Sequence, residues 1–194
     1  MQRRLISNYK HSCRMHFHTD AVSRDKDSIV MQIGLIADSH IPEAMPELPG
    51  QVRDVFADVD LILHAGDMHC LEVLDWLEQT APVLAVRGNG DEGGGGRPVV
   101  PDDPRLQDTL CLTRDGWNLG MVHDVLDPEE MPTWPIERTV QHYFGQPTDI
   151  IICGHTHVEG ICCHNQVWVH QPRQSNLSPQ PGRPTRHCWH LNPS

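Results

Sequence analysis

Short apolar runs that stop abruptly at a residue able to bind metal recur along this chain. Gln32-Ile33-Gly34-Leu35-Ile36-Ala37 stops at Asp38-Ser39-His40, and Leu61-Ile62-Leu63-His64 stops at Gly66-Asp67. Pro82-Val83-Leu84-Ala85-Val86 leads into Gly88-Asn89-Gly90-Asp91. Leu119-Gly120-Met121-Val122 leads into His123, and Ile150-Ile151-Ile152-Cys153 into Gly154-His155-Thr156-His157. Apolar runs this short, bounded by turn residues, predict buried strands. Between the first three runs, Val52, Val55, Phe56 and Val59 have the spacing of a short helix. Leu71, Leu74 and Leu77 predict a second helix, with Glu72, Asp75 and Glu78 on its opposite face. Strand–helix alternation implies parallel strands joined by right-handed crossovers. Ligands of such sheets sit beyond the carboxyl ends of the strands, where Asp38, His40, Asp67, Asn89 and Asp91 all fall.

The second half reads differently. Asp115-Gly116 between Leu110-Cys111-Leu112 and the run ending at Val122 is a hairpin signal. Pro135 to Phe144 predicts a helix with proline at its first position. A further hairpin is expected around His164-Asn165, and Cys188-Trp189-His190-Leu191 is read as a last edge strand. Residues 43–49 are read as a loop, and Glu92-Gly93-Gly94-Gly95-Gly96 as a linker. The expectation is one α/β domain over 31–194 with two sheets, parallel at its N-terminal side and mixed at its C-terminal side. Residues 175–194 are the least defined part of it.

Residues 1–30 are polar, with Arg3, Arg4, Lys10 and Arg14 and no acid before Asp20. They are read as an unstructured extension, with Met31 directly before the first strand. The net charge of −11 disfavours an extended nucleic-acid surface but not a small anionic substrate, because bound cations would invert the local field. No apolar run is long enough to span a membrane. The 7 cysteines are odd in number and form no CxxC, so reduced thiols in a cytoplasmic protein are expected.

Each polar cluster is weak alone, since Asp-x-His, Gly-Asp and Asn in turns are common. Gly154-His155-Thr156-His157 is the most specific, because two histidines separated by one residue can reach two different ions. Together the clusters offer carboxylate, amide and imidazole ligands, the set that two adjacent divalent cations need. The ordered series Asp-x-His, Gly-Asp, Gly-Asn-x-Asp, His and Gly-His-Thr-His resembles the calcineurin-like metallophosphoesterase family. The short chain and minimal loops resemble its small phosphodiesterase subgroup.

That resemblance covers roughly residues 31–170 and implies a four-layer αββα sandwich. It implies that Asp38, His40 and His157 hold one metal and that Asn89, His123 and His155 hold the other, with Asp67 bridging. Asp67, Asn89, Asp91 and His123 would then be the catalytic set. Mn²⁺ is the first expectation for both ions, with Fe, Zn²⁺ or Ni²⁺ as alternatives. The implied reaction is phosphodiester hydrolysis by in-line attack of a metal-bridging hydroxide on a small phosphoester. A homo-oligomer is left open. Other readings are a protein-binding scaffold of the same fold, as in the retromer subunit that resembles these enzymes, and a phosphoprotein phosphatase. His64 is read as a supporting or packing residue, and Arg87 as either a phosphate contact or a surface ion pair.

Three positions depart from the family pattern. Gly90 stands where many members carry a proton-donating His and where the small subgroup often has Cys. His69 is the candidate to replace that donor. Asp124 follows His123 where Gly is usual. Gln171-Pro172-Arg173-Gln174 replaces the usual Asn-Pro-Gly-Ser turn, which puts the last strand in question.

Overall fold

The computed structural model describes residues 31–114, 116–125 and 134–172, together with the backbone of 4–7 and 14–18. Strands β1 (Arg4–Ser7), β2 (Arg14–His18), β3 (Gln32–Ile36), β4 (Leu61–His64), β5 (Val83–Val86) and β6 (Leu106–Gln107) form the first sheet in sequential order. β3 to β6 are mutually parallel, and β2 joins β3 antiparallel. Strands β7 (Leu110–Arg114), β8 (Trp117–Met121), β9 (Ile150–Ile152), β10 (Gly160–His164) and β11 (Val167–Gln171) form the second sheet, in the order β10-β11-β9-β8-β7. In it β9 runs parallel to both β8 and β11, while the two outer pairs are antiparallel.

Among the described residues three α-helices cover the sheets: α1 (Gly50–Phe56), α2 (Glu72–Glu78) and α3 (Ile136–Phe144). Side-chain alternation along each strand decides the layering. Leu61 and Leu63 of β4 point into a core shared with Leu119, Met121, Ile150 and Ile152 of the opposing sheet. Ile62 points the other way, towards Phe56, Leu74 and Leu77 of α1 and α2. Ile151 likewise turns outward onto Ile136 and Phe144 of α3. The result is the expected αββα sandwich with a separate apolar core in each gap.

The sheets approach their helices closely through two glycines. A Cβ on Gly34 would lie 2.9 Å from the Phe56 ring, and one on Gly120 would lie 2.6 Å from the Phe144 ring. Each glycine leaves a slot for an aromatic ring from the covering helix. α3 ends at Gly145 in the left-handed region, φ 62°, with its N–H bonded back to Gln141.

Most predicted elements lie where the apolar runs placed them, and three details differ. β1 and β2 occupy part of the stretch expected to be unstructured, and the alternation Arg14-Met15-His16-Phe17-His18 was the overlooked strand signal. β6 is only a two-residue bridge, too short to carry a pattern. β11 forms in full despite the altered Gln171-Pro172 sequence. The edge strand expected at 188–191 lies outside the described residues.

Filling the slot beneath α3 tests this packing. A Gly120→Ala change should lower unfolding free energy by about 1–3 kcal/mol, as over-packing typically does. Adding Phe144→Leu should recover part of it, as read by urea denaturation of both variants.

Candidate metal centre

All five polar clusters emerge at one edge of the sandwich, where β3, β4, β5, β8 and β9 end. Backbone hydrogen bonds stitch these ends together. The Asp38 amide donates to Gly66 O (3.0 Å), His40 to Asp67 O (3.0 Å) and Gly154 to His123 O (2.8 Å). The His155 amide donates to the Asp38 carboxylate (3.1 Å), and His123 Nδ1 donates to Ala65 O (2.7 Å), so both contacts cross between the sheets. Gly154 permits that crossing: a Cβ there would lie 2.8 Å from Ala65 O and 3.0 Å from His123 Nδ1.

The backbone at the strand ends is left-handed at residues that are not glycine. Asp38 (φ 52°), His40 (49°), Asp67 (56°), His69 (70°), His155 (70°) and His157 (58°) all lie in this region. Such conformations cost about 1–2 kcal/mol each for residues with a Cβ, least for Asp, Asn and His. They cluster here because each turn must direct two side chains, at positions i and i+2, into one space.

Asp67 sits at the middle of that space. Its Oδ2 is 3.6 Å from His40 Nε2 and its Oδ1 is 3.5 Å from His123 Nε2. On the His40 side lies Asp38 Oδ1, 3.8 Å from His40 Nε2 and 3.6 Å from His157 Nε2. On the His123 side the His155 ring packs edge-on to His123 at 5.3 Å, and its Nδ1 is 3.2 Å from Asn89 Oδ1. Asp38, His40 and His157 can share one ion, as can Asp38, Asp67 and His123. The other six predicted ligands therefore converge on the two sides of Asp67.

Fit to metal is tested by atoms left without protein partners. Asp38 Oδ2, His40 Nε2 and His123 Nε2 are buried and form no hydrogen bond. Buried polar atoms in that condition cost about 1–3 kcal/mol each, and cations between them would remove the cost. Burial works against ionisation of Asp67, but the His123 ring and the Gly90 N–H outweigh it and hold the carboxyl well below its usual range. Burial likewise disfavours the charged His123 ring, yet Asp67 lifts it to about 8.

The remaining predicted residues organise the ligands. Asp91, fully buried, accepts from the Asp67 amide (2.9 Å) and the Gly88 amide (2.8 Å) through Oδ2 and from the His69 amide (2.7 Å) through Oδ1. Its carboxylate thus holds loop backbone. His64, also fully buried, contacts Ser39 Oγ at 3.0 Å, beneath the Asp38–His40 turn. Arg87 is committed to Val100 O, Pro101 O and Asp102, which fits the ion-pair reading. Gln171 accepts from Thr156 Oγ1 (2.7 Å) and steadies the turn that carries His155 and His157. The glycine-rich stretch expected as a linker instead folds onto the site, with the Gly94 amide bonded to Asn89 O (2.8 Å). Beside Asn89, His123 and His155 opens a cavity of about 220 Å³ whose wall includes Glu92, Asp108 and Asp124.

Residues 31–187 match the sequence profile of the calcineurin-like phosphoesterase superfamily domain. The chain belongs to that superfamily. A probable metallophosphoesterase of Methanothermobacter thermautotrophicus is 36% identical over 129 residues, 66% of this chain and 67% of that protein. One of Methanocaldococcus jannaschii is 35% identical over 134 residues, 68% of this chain but only 61% of that protein. Solved structures share the fold at lower identity. Vacuolar protein sorting 29 of Cryptosporidium parvum has a TM-score of 0.56 at 20% identity, covering 73% of each chain. Vps29 of Entamoeba histolytica, solved in complex with Zn²⁺, has a TM-score of 0.54 at 19% identity, covering 83% of this chain and 79% of that one.

The buried imidazoles give this superfamily member a pH signature. Burial lowers His64 to about 4, despite Asp91 and Asp38 nearby, and lowers His170 of β11 to about 4. The unfolded chain takes up those protons near pH 6.5. The stability that these two rings contribute is therefore complete above about pH 6.5 and falls as pH drops towards 4, because the unfolded state binds more of their protons in that window. Guanidinium unfolding of the metal-free protein should show that loss, and His170→Gln should have a shallower slope across the same range.

Proposed function

We propose that this chain is a metal-dependent phosphodiesterase with a dinuclear centre. The observation that carries this reading is the position of Asp67, one carboxylate oxygen facing His40 and the other facing His123. Asp38, His40 and His157 would hold one ion, and Asn89, His123 and His155 the other, with Asp67 shared. The mixed nitrogen and oxygen donors suit Mn²⁺, Fe, Zn²⁺ or Ni²⁺, with Mn²⁺ favoured. When bound, two such cations polarise phosphoryl oxygens and make water a stronger nucleophile at neutral pH.

The chain's own residues supply placement. Asp91 fixes the loops of β4 and β5 by three backbone hydrogen bonds, so Asp67 and Asn89 keep their spacing without adjusting to substrate. The cavity beside Asn89, His123 and His155 admits a small ester. Gly90 brings no proton to the leaving oxygen, and a Cβ there would overlap His69 Nε2. General acid help is worth about 10²–10⁴-fold, and most for basic leaving groups. That favours aryl or otherwise activated diesters over alkyl monoesters. A purely scaffolding role would not use the buried ligand set. Among the described residues the exposed large hydrophobics are Val99 and Val158.

Metal-loaded protein assayed on matched substrates tests this. An aryl phosphodiester should be hydrolysed with a kcat/KM about 10²-fold or more above that of an alkyl phosphomonoester. Asp67→Asn should abolish turnover of both. Activity equal to the Asp67→Asn control with every divalent metal would sink the enzyme reading and favour the scaffold.

A further inference from the structure

We propose that His69 is a metal ligand of this centre, an eighth protein ligand on the Asp38–His40 side, and not a replacement proton donor. The inference rests on the metal centre proposed above.

Three observations converge on it. The first is backbone geometry. Among the described residues, eight positions other than glycine have positive φ. Asn165 and Gln166 make the β10–β11 turn, and five others are the presumed ligands Asp38, His40, Asp67, His155 and His157. The eighth is His69. The left-handed residues come as i, i+2 pairs: Asp38 with His40, His155 with His157, and Asp67 with His69. Asp67-Met68-His69 therefore repeats Asp38-Ser39-His40 one strand over, and the two turns are joined by the His40 amide to Asp67 O and the Ile41 amide to Met68 O (3.1 Å).

The second is where the ring points. The His69 side chain is 2% exposed, and its Nε2 is buried with no hydrogen-bond partner. Ligand atoms of His40, Asp67 and His69 lie within 4.8 Å of one another, and the His40 and His69 rings are 4.5 Å apart. The ring thus faces other ligands, whereas a leaving group would be met from the open side. Gly90 makes room for it, since a Cβ there would overlap Nε2. A donor side chain at position 90 and an inward His69 are mutually exclusive in this packing.

The third is tautomer control. Nδ1 donates to Glu43 Oε2 at 2.8 Å, and Glu43 is itself paired with Arg97 (3.3 Å). A carboxylate on Nδ1 leaves the Nε2 lone pair available in the neutral ring, as for metal-bound histidines generally. An extra imidazole would shift ion preference on that side from Mg²⁺ towards Fe, Zn²⁺ and Ni²⁺.

The test reads metal binding directly, so it does not depend on turnover. Metal-stripped full-length protein is titrated with Co²⁺ and Zn²⁺ by calorimetry, with the Co²⁺ visible absorption bands recorded alongside. His69→Ala should weaken one of the two ions at least tenfold and alter its Co²⁺ bands, leaving the other ion unchanged. Glu43→Gln should weaken the same ion about 10-fold, the lower range for loss of a carboxylate behind a ligating histidine. His69→Gln, which keeps bulk and a polar end, gives a second reading should the alanine variant melt early. Wild-type affinities and Co²⁺ bands in both His69 variants would overturn the assignment, as would a wild-type protein that binds neither ion. Selective loss of hydrolysis of poor leaving groups with unchanged metal binding would overturn it in favour of a proton donor. A wild-type protein that binds ions through His69 yet hydrolyses nothing would refute the phosphodiesterase reading alone.

Discussion

The Asp91 carboxylate holds this site together. It is fully buried, and it accepts the backbone amides of Asp67, His69 and Gly88. Burying a carboxylate is costly unless its oxygens are satisfied, and here three N–H groups do so. Those groups belong to two loops that leave neighbouring parallel strands. One side chain therefore fixes the spacing between Asp67 and Asn89, which the sheet alone could not set. The left-handed turns at Asp67 and His69 become tolerable because their amides already have this partner.

Much of this was legible in the sequence, and for a physical reason. Parallel strands buried on both faces, such as β4, read as continuous apolar runs, so Leu61-Ile62-Leu63 and Ile150-Ile151-Ile152 announce themselves. Polar residues at the ends of such strands follow the run directly, which makes the proposed ligands Asp38, Asp67, Asn89, His123, His155 and His157 visible without a fold. Gly90 was legible too, as a missing side chain at a position where a proton donor is usual.

What sequence order could not convey was contact between distant segments. Glu43 behind His69, Ser39 beneath His64 and Gln171 under Thr156 pair residues 15 or more positions apart, and none has a periodic signature. Asp91 was expected to support chemistry, but its oxygens are spent on backbone, a role that depends on how two loops meet. His69 was noticed in the sequence only as a candidate proton donor. The pattern Asp-x-His occurs at 38–40 and again at 67–69, yet the second copy reads as Gly-Asp with a possible proton donor two residues on. Only the shared left-handed backbone makes the two turns equivalent.

That equivalence bears on how the site departs from the family pattern that the sequence resembles. Removing the side chain at position 90 leaves space beside Asp67, and an imidazole held by Glu43 occupies it. The change is one of placement as much as of loss. A group at position 90 would enter this space from the β5 loop, whereas His69 enters it from the β4 loop. On the assignment proposed for His69, such a centre would gain hold on its ions and give up help to the leaving group. Substrates whose leaving oxygen needs little help are then the ones it can serve.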